Sequence, residues 1–316
     1  DSSTSRGLGD VYKRQIEIYR EVLSRDPDNG QALSALERLL KRPDHELAIA
    51  EILEPLYRAA GEYAKLIGVH EIEARHASSS EQKVQLLHTI AELYEVSLDD
   101  LPSAVTTYAR ALSEEPANEA TQAQLERAAI AADDATSLAR IYEREVALVS
   151  DPVVAALLHV KAAQLRENML HDVEGAIVHY QKVLALEPGH LEAASALERL
   201  YQSSANYESL AGTFLVKSAM LTDLDDRKQY LYRAAQLYED VLGQPLRAVE
   251  VQRQVLELDP EDLTALDKLI DLFLKLERWE DLLGVYSKRA DIVTSPDEKK
   301  ALLAEMGALS RSSRSY

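Results

Sequence analysis

A period of 72 residues runs through most of this 316-residue chain and limits what it can fold into. Four segments resemble one another: Ile16 to Pro27, Val105 to Pro116, Ile177 to Pro188 and Val249 to Pro260. Their closing prolines are 89, 72 and 72 residues apart. Ala91, Ala163 and Ala235 keep the 72-residue step, and so do Ala104, Ala176 and Ala248. Three leucine columns follow it as well: Leu112, Leu184 and Leu256; Leu125, Leu197 and Leu269; Leu138, Leu210 and Leu282. A repeat of this length is a stack of supersecondary units, each covering an apolar face that its neighbour cannot bury alone.

Within one period the apolar spacing is helical. Val153 to Leu170 reads as one helix. Val173 to Leu186 is the next, with Ala176, Ile177, Tyr180, Val183 and Leu184 on a single stripe at 3.6-residue spacing. Pro188 ends the pair because proline cannot continue the hydrogen-bond ladder. Leu191 to Tyr201 and Tyr207 to Leu221 form a second pair. The connections are short, so consecutive helices pack antiparallel. Gly at 11 and Pro at 10 are too few for an all-β chain of this length. The rule of one supersecondary unit per copy predicts an all-α, right-handed α-α superhelix of about fifteen or sixteen helices, with no sheet.

The residues resemble the tetratricopeptide repeat family, whose pattern has a small residue in the first helix, then Ala, three residues, an aromatic and a closing Pro. Ala104 with Tyr108 and Pro116, and Ala176 with Tyr180 and Pro188, follow it; Ala91, Ala163 and Ala235 hold the small position. The resemblance spans Ile16 to Leu309 and is similar to long bacterial arrays. Gln252 departs from it where Tyr108 and Tyr180 stand. Every second repeat is degenerate: Leu197, Tyr201, Tyr207, Leu210 and Phe214 carry its pattern without a closing proline. Trp279 aligns with Tyr63 and Tyr207 and reads as a repeat-packing residue. The 89-residue interval exceeds the period by 17, about one helix, and Leu53 to Tyr57 aligning with Leu197 to Tyr201 places the surplus between about Leu36 and Ile52.

The array is read as residues 16–310. Residues 1–15 resemble a translated adapter and are taken as a non-native or disordered leader; residues 311–316 are taken as a disordered tail. Asp297 to Leu309 matches Asp225 to Leu237 and then has no partner helix. The chain is therefore read as a fragment, with self-association through its cut ends left open.

Composition removes several functions. Lys and Arg total 35 against 54 Asp and Glu, a net charge of −19, which repels phosphate backbones and anionic lipid and also serves simply to keep a helical surface soluble. No Cys is present, so thiol chemistry, disulfides and Cys-ligated zinc are out, and a cytoplasmic location is expected with a periplasm still open. No apolar run approaches the ~20 residues that span a bilayer. There is no phosphate-binding glycine loop and no HExxH. His70, Glu73 and His76 could share a helix flank but read as a solvated face. Asp26 to Gly30 with Glu37 resembles a calcium loop, yet its glycine is one position early, and the segment reads as a capping turn. No metal, cofactor or catalytic constellation is expected, and the chain is read as a non-enzyme.

In the family resembled, the first helix of each pair lines a concave groove. The resemblance places there Gln85, His88, Glu92 and Glu95; Leu157, Val160, Gln164 and Glu167; and Gln229, Tyr232, Gln236 and Glu239. None is Lys, Arg or Asn, against a carboxylate-clamping groove. These residues suit a polar or basic peptide or protein, with no nucleic acid or membrane insertion. A protein-interaction scaffold is the first reading. A regulatory or substrate-presenting arm of a larger enzyme, such as a kinase or glycosyltransferase, is the second.

Overall fold

The computed structural model describes the backbone of residues 2–312 and the side chains of residues 11–309. Among these there are seventeen α-helices and no strands. The chain divides into two compact units, 1–171 and 172–316. The first holds α1 (Ser2–Arg25), α2 (Gly30–Leu39), α3 (Glu46–Ala60), α4 (Tyr63–Arg75), α5 (Ser80–Glu92), α6 (Leu101–Glu114), α7 (Glu119–Ala131), α8 (Ala135–Leu148) and α9 (Pro152–Asn168). The second holds α10 (Val173–Leu186), α11 (Leu191–Ser203), α12 (Tyr207–Met220), α13 (Leu224–Gln236), α14 (Pro245–Leu258), α15 (Leu263–Lys275), α16 (Trp279–Ile292) and α17 (Pro296–Ser312). Within each unit successive helices pack on one another. The leader expected at 1–15 and the tail expected at 311–316 lie partly outside the described residues, at Asp1 and at 313–316.

The period reappears in the turns, where it has a backbone cause. Seven of the described residues have positive φ: Gly61, Asp99, Asp133, His171, Ala205, Gly243 and Glu277. They fall on two columns, 99, 171 and 243 and then 61, 133, 205 and 277, each stepping by 72. In the second column the chain reverses through paired hydrogen bonds. Ala205 N donates to Gln202 O at 3.3 Å and Asn206 N to Tyr201 O at 2.9 Å, and the same two bonds recur at Gly61, Asp133 and Glu277. This left-handed stop satisfies the last carbonyls of one helix while turning the chain by nearly half a circle.

The next residue then starts the following helix. Asp134 accepts a hydrogen bond from Ser137 N and Asn206 from Ser209 N. Asp100 and Asp172 cap α6 and α10 from the first column's turns. The turns after the prolines carry Asn29, Asn118, His190 and Asp262, which cap α2, α7, α11 and α15. The calcium-like segment is therefore a capping turn, with Asn29 accepting from Ala32 N at 3.1 Å. Arg278 and Gln244 occupy cap columns without capping, so α16 and α14 begin with fewer satisfied N–H groups.

At α5 and α13 the helix end widens into a π-helical turn, Leu93–Ser97 and Leu237–Val241, two periods apart. Ahead of α5 the long interval holds three helices, α2, α3 and α4, where one period would supply two, and α2 and α3 share the surplus. The reason is visible in a second alignment: Ser34 to Leu39 and Ser195 to Leu200 both read SALERL, so α2 and α3 each match α11. The seventeen helices described are one or two more than the fifteen or sixteen expected.

The small columns are buried as steric close approaches: Ala91, Ala104, Ala163, Ala176 and Ala248 are at 0% exposure. In the first unit one core runs from α5 to α9 through Ala91, Tyr108, Leu112, Leu125, Leu138, Tyr142 and Leu158. A second joins α1 to α4 through Ile16, Leu36, Ile49, Leu53 and Leu66. Gln252, in place of the column's tyrosine, is buried with its Oε1 unpaired. The ring column of Tyr63, Tyr207 and Trp279 is less buried than a packing role predicts, at 37–39% exposure, because each is the first residue of its helix and lies against the turn.

A charged column crosses the degenerate repeats. Glu73, Glu145, Lys217 and Arg289 step by 72 and each is paired. Glu73 meets His70; Glu145, 1% exposed, accepts from Ser113 Oγ at 2.8 Å and from Arg144. Lys217 donates to Glu198 at 2.7 Å and Ser195 at 3.1 Å, and Arg289 pairs with Asp267 and Glu298. The pairing offsets the desolvation that burying a lone charge would cost.

Two stability outcomes are expected. Ala163→Leu should overpack its helix crossing and cost about 1–3 kcal/mol, whereas Gln164→Ala, one residue along on the exposed side, should change stability by less than about 0.5 kcal/mol. Urea denaturation of the two variants checks this, and similar shifts would show the register to be wrong. Ala205→Gly should stabilise by about 0.5–1 kcal/mol, since relief of a left-handed Cβ clash of about 1–2 kcal/mol exceeds the glycine entropy penalty. A lowered denaturation midpoint for Ala205→Gly would contradict the turn geometry.

Candidate partner-binding groove

The twelve positions named from sequence lie on α5 and its π-helical turn, on α9, and on α13 and its π-helical turn. Gln85, Glu92, Leu157, Gln164, Gln229 and Gln236 are exposed. His88, Glu95, Val160, Glu167, Tyr232 and Glu239 are half-buried. Three of the exposed residues share a column: Glu92, Gln164 and Gln236 are 72 residues apart. The small residues Ala91, Ala163 and Ala235 immediately precede them, so this row points outward where the preceding side chain points in.

The glutamates expected to attract a basic partner are largely compensated. Arg127 of α7 forms a two-pronged pair with Glu95, one arm at 2.7 Å, and holds its carboxyl below the usual range. Lys275 of α15 pairs with Glu239, which raises the lysine pKa. A second row of pairs braces the first helices of each unit. Lys161 of α9 meets Glu126 of α7 at 3.1 Å in the first unit, and Arg233 of α13 meets Glu198 of α11 at 2.7 Å in the second. Both partners are 72 residues apart in the two copies. Such exposed pairs contribute only about 0–1 kcal/mol each. Their larger effect is to cancel charge along the groove. Glu92 is exposed and has no ion-pair partner among the described residues.

The remaining polar residues are held in place. His88 Nε2 lies 2.8 Å from Thr121 Oγ1, and its ring meets Tyr108 edge to face with centroids 5.5 Å apart. Tyr108 is fully buried beneath it with an unpaired hydroxyl. Tyr232 Oη donates to Asp262 at 2.6 Å, and Lys228 reaches Asp259 at 2.8 Å and Asp262 at 3.0 Å. Burial together with the Asp262 hydrogen bond pushes the Tyr232 phenol well up. The tyrosine is therefore a fixed donor rather than a titrating group.

Sequence reasoning missed the cations that reach in from the next repeat. Arg127 was legible, because Leu-Glu-Arg recurs at Leu125 to Arg127 and Leu197 to Arg199. Lys275 lies on no such column and could be found only in three dimensions. The histidine cluster divides: His70 Nδ1 faces Glu73 Oε2 at 2.7 Å while His76 Nε2 faces Glu46 Oε1 at 2.8 Å. No group able to hold a metal ion occurs among the described residues, and no helix there is long and apolar enough to cross a membrane.

His88 makes the groove sensitive to acid. Burial holds it below the ordinary histidine pKa, with Glu92 pulling in the opposite direction. A base depressed in the fold is neutral there, and the unfolded chain takes up the proton first. The stability it contributes is full above about pH 6.5 and is lost as pH falls through the folded value. Stability measured at pH 7.5 and pH 5.5 should fall less on acidification in His88→Gln than in the native chain. An equal fall in both would remove His88 as a source of the pH dependence.

Residues 228–262 match the family model of the tetratricopeptide repeat, which takes in most of α13 and all of α14. Comparison with curated proteins finds no sequence relative. Similar solved structures include a tetratricopeptide repeat protein from Parabacteroides merdae, at 14% identity over 86% of this chain and 99% of that one, with a TM-score of 0.31. Another is the C-terminal part of a repeat-containing protein from Cytophaga hutchinsonii, at 16% identity over 79% and 98%, with a TM-score of 0.30. A third is the APC/C hetero-tetramer Cut9–Hcn1, at 12% identity over 92% of this chain but 52% of the other, with a TM-score of 0.29, so this chain spans about half of that length. Residues 228–262 are thus a copy of the tetratricopeptide repeat, within an all-helical chain whose small and turn positions recur every 72 residues.

Proposed function

We propose that the chain is a protein-interaction scaffold that holds extended, polar segments of a protein partner, on α5 and α9 in the first unit and on α13 in the second. The observation that carries this is that Glu92 and Gln164 of the first unit and Gln236 of the second are exposed, recur at the repeat period in sequence and stand beside braced ion pairs of their own unit. A glutamine amide offers both a donor and an acceptor, which suits a peptide backbone whose own groups need both. The supporting side chains are already fixed by Thr121, Arg127, Asp262 and Lys275, so little side-chain freedom remains to be lost on binding. Compensation of Glu95 and Glu239 shifts the preference from a strongly basic partner toward a polar one, with Glu92 supplying attraction at one point. That attraction acts within a Debye length of about 8 Å at physiological salt.

A photo-crosslinking side chain placed in turn at Gln164, at Gln236 and at exposed Glu250 of α14 tests this reading. Crosslinks to protein partners from the first two sites and not from the third are expected. A triple change of Glu92→Lys, Gln164→Ala and Gln236→Ala should then weaken the crosslinked partner by about tenfold or more, equivalent to about 1.4 kcal/mol. Crosslinks from Glu250 alone, or undiminished binding by the triple variant, would place the partner elsewhere.

A further inference from the structure

Arginines gather at one place on the opposite side of the helix pairs. A cleft of about 490 Å³ lies between α6 and α8, the second helices of two successive pairs in the first unit. That volume is within the range of about 300–1,000 Å³ usual for ligand sites. Its floor is apolar, with buried Val105 and half-buried Ile141. Arg110, Arg140 and Arg144 line it, in a chain with nineteen more acidic than basic residues.

The three guanidinium groups differ in how far they are occupied. Arg110 gives both terminal nitrogens to Glu71, at 2.6 and 2.7 Å. Arg144 gives Nε and one terminal nitrogen to Glu145, at 2.9 and 2.7 Å. Arg140 is exposed and has neither an ion-pair nor a hydrogen-bond partner among the described residues. The carboxylate in the cleft's lining, Asp134, is engaged as the N-cap of α8, accepting from Ser137 N at 3.0 Å, and interacts with Arg140 through space without an ion pair or hydrogen bond. Five donors of one guanidinium thus remain open above an apolar floor, between two others whose charge is partly spent.

We propose that this cleft is a second docking site, for an acidic segment of a protein partner. An Asp or Glu side chain pairs with Arg140, and an aliphatic residue beside it covers Val105 and Ile141. The planar fork of arginine matches a carboxylate with two parallel hydrogen bonds. The acidic surface elsewhere repels such a segment, so the same charge distribution that admits it here excludes it from the groove.

The test uses the full chain and a fluorescein-labelled peptide, Glu-Leu-Asp-Glu-Leu-Glu, followed by fluorescence anisotropy. Saturable binding is expected, weakened at least about tenfold by Arg140→Glu and by replacing every acid in the peptide with its amide. Arg140→Gln should fall between, and the same change at exposed Arg20 of α1, Arg20→Glu, should leave binding unchanged. Arg140 is exposed, so circular dichroism of its variants should match the native chain. The proposal is overturned by equal binding of the amide peptide, by insensitivity to Arg140→Glu, or by no saturation below about 1 mM. An equal loss through Arg20→Glu would make overall charge rather than this cleft the cause and overturn it too. Binding only of a phosphoserine version would make phosphate the ligand instead of carboxylate. None of these outcomes bears on the crosslinking result, which reads the other face.

Discussion

Everything in this protein depends on the reversal between the two helices of a pair. One residue must take positive φ, and the residue after it must stop being the end of one helix and become the cap of the next. Ala205 with Asn206 and Asp133 with Asp134 do this in three residues, leaving no slack to vary the angle between helices. An L-residue with a Cβ pays about 1–2 kcal/mol for that conformation. Asp133, Ala205 and Glu277 accept it because the paired backbone bonds behind them and the packed helices on either side leave no alternative. Where the turn is glycine, as at Gly61 and Gly243, the same geometry is reached without that strain.

The groove follows from that geometry by way of electrostatics. Successive first helices lie side by side, so a carboxylate on one is within reach of a cation on the next. Glu95 with Arg127, Glu126 with Lys161, Glu198 with Arg233 and Glu239 with Lys275 are all of this kind. These pairs span helices and not turns of one helix, so they register the repeats against each other while adding little stability in water. The result is a first-helix surface less acidic than its glutamates alone suggest. What remains available to a partner is a row of amides and one carboxylate.

The opposite helices treat charge differently. There the column of Glu145 and Lys217 is buried and satisfied inside the core, with Ser113 and Ser195 completing the hydrogen bonds. Arg140, one turn before Arg144 on the same helix, has no such partner and stands over an apolar cleft.

The sequence by itself determined the helices, their pairing and the period. Ala163 and Ala176 are small because helix backbones meet there, and Asn118, His190 and Asp262 cap because their N–H partners follow within three residues. These are local requirements of backbone geometry, and they leave a residue-type signature at a fixed spacing. The positions of Gln164 and Gln236 on an exposed face were legible for the same reason. The tertiary structure alone decided which of the glutamates are compensated. Lys275 meets Glu239 from 36 residues away and off the period, and a long flexible side chain leaves no spacing rule that fixes its partner. It also decided that Tyr63, Tyr207 and Trp279 lie half open at the turns, and that α2 duplicates α3 and sits ahead of it. Alignment counts residues, whereas burial and ion pairing depend on which surfaces the packed helices bring together.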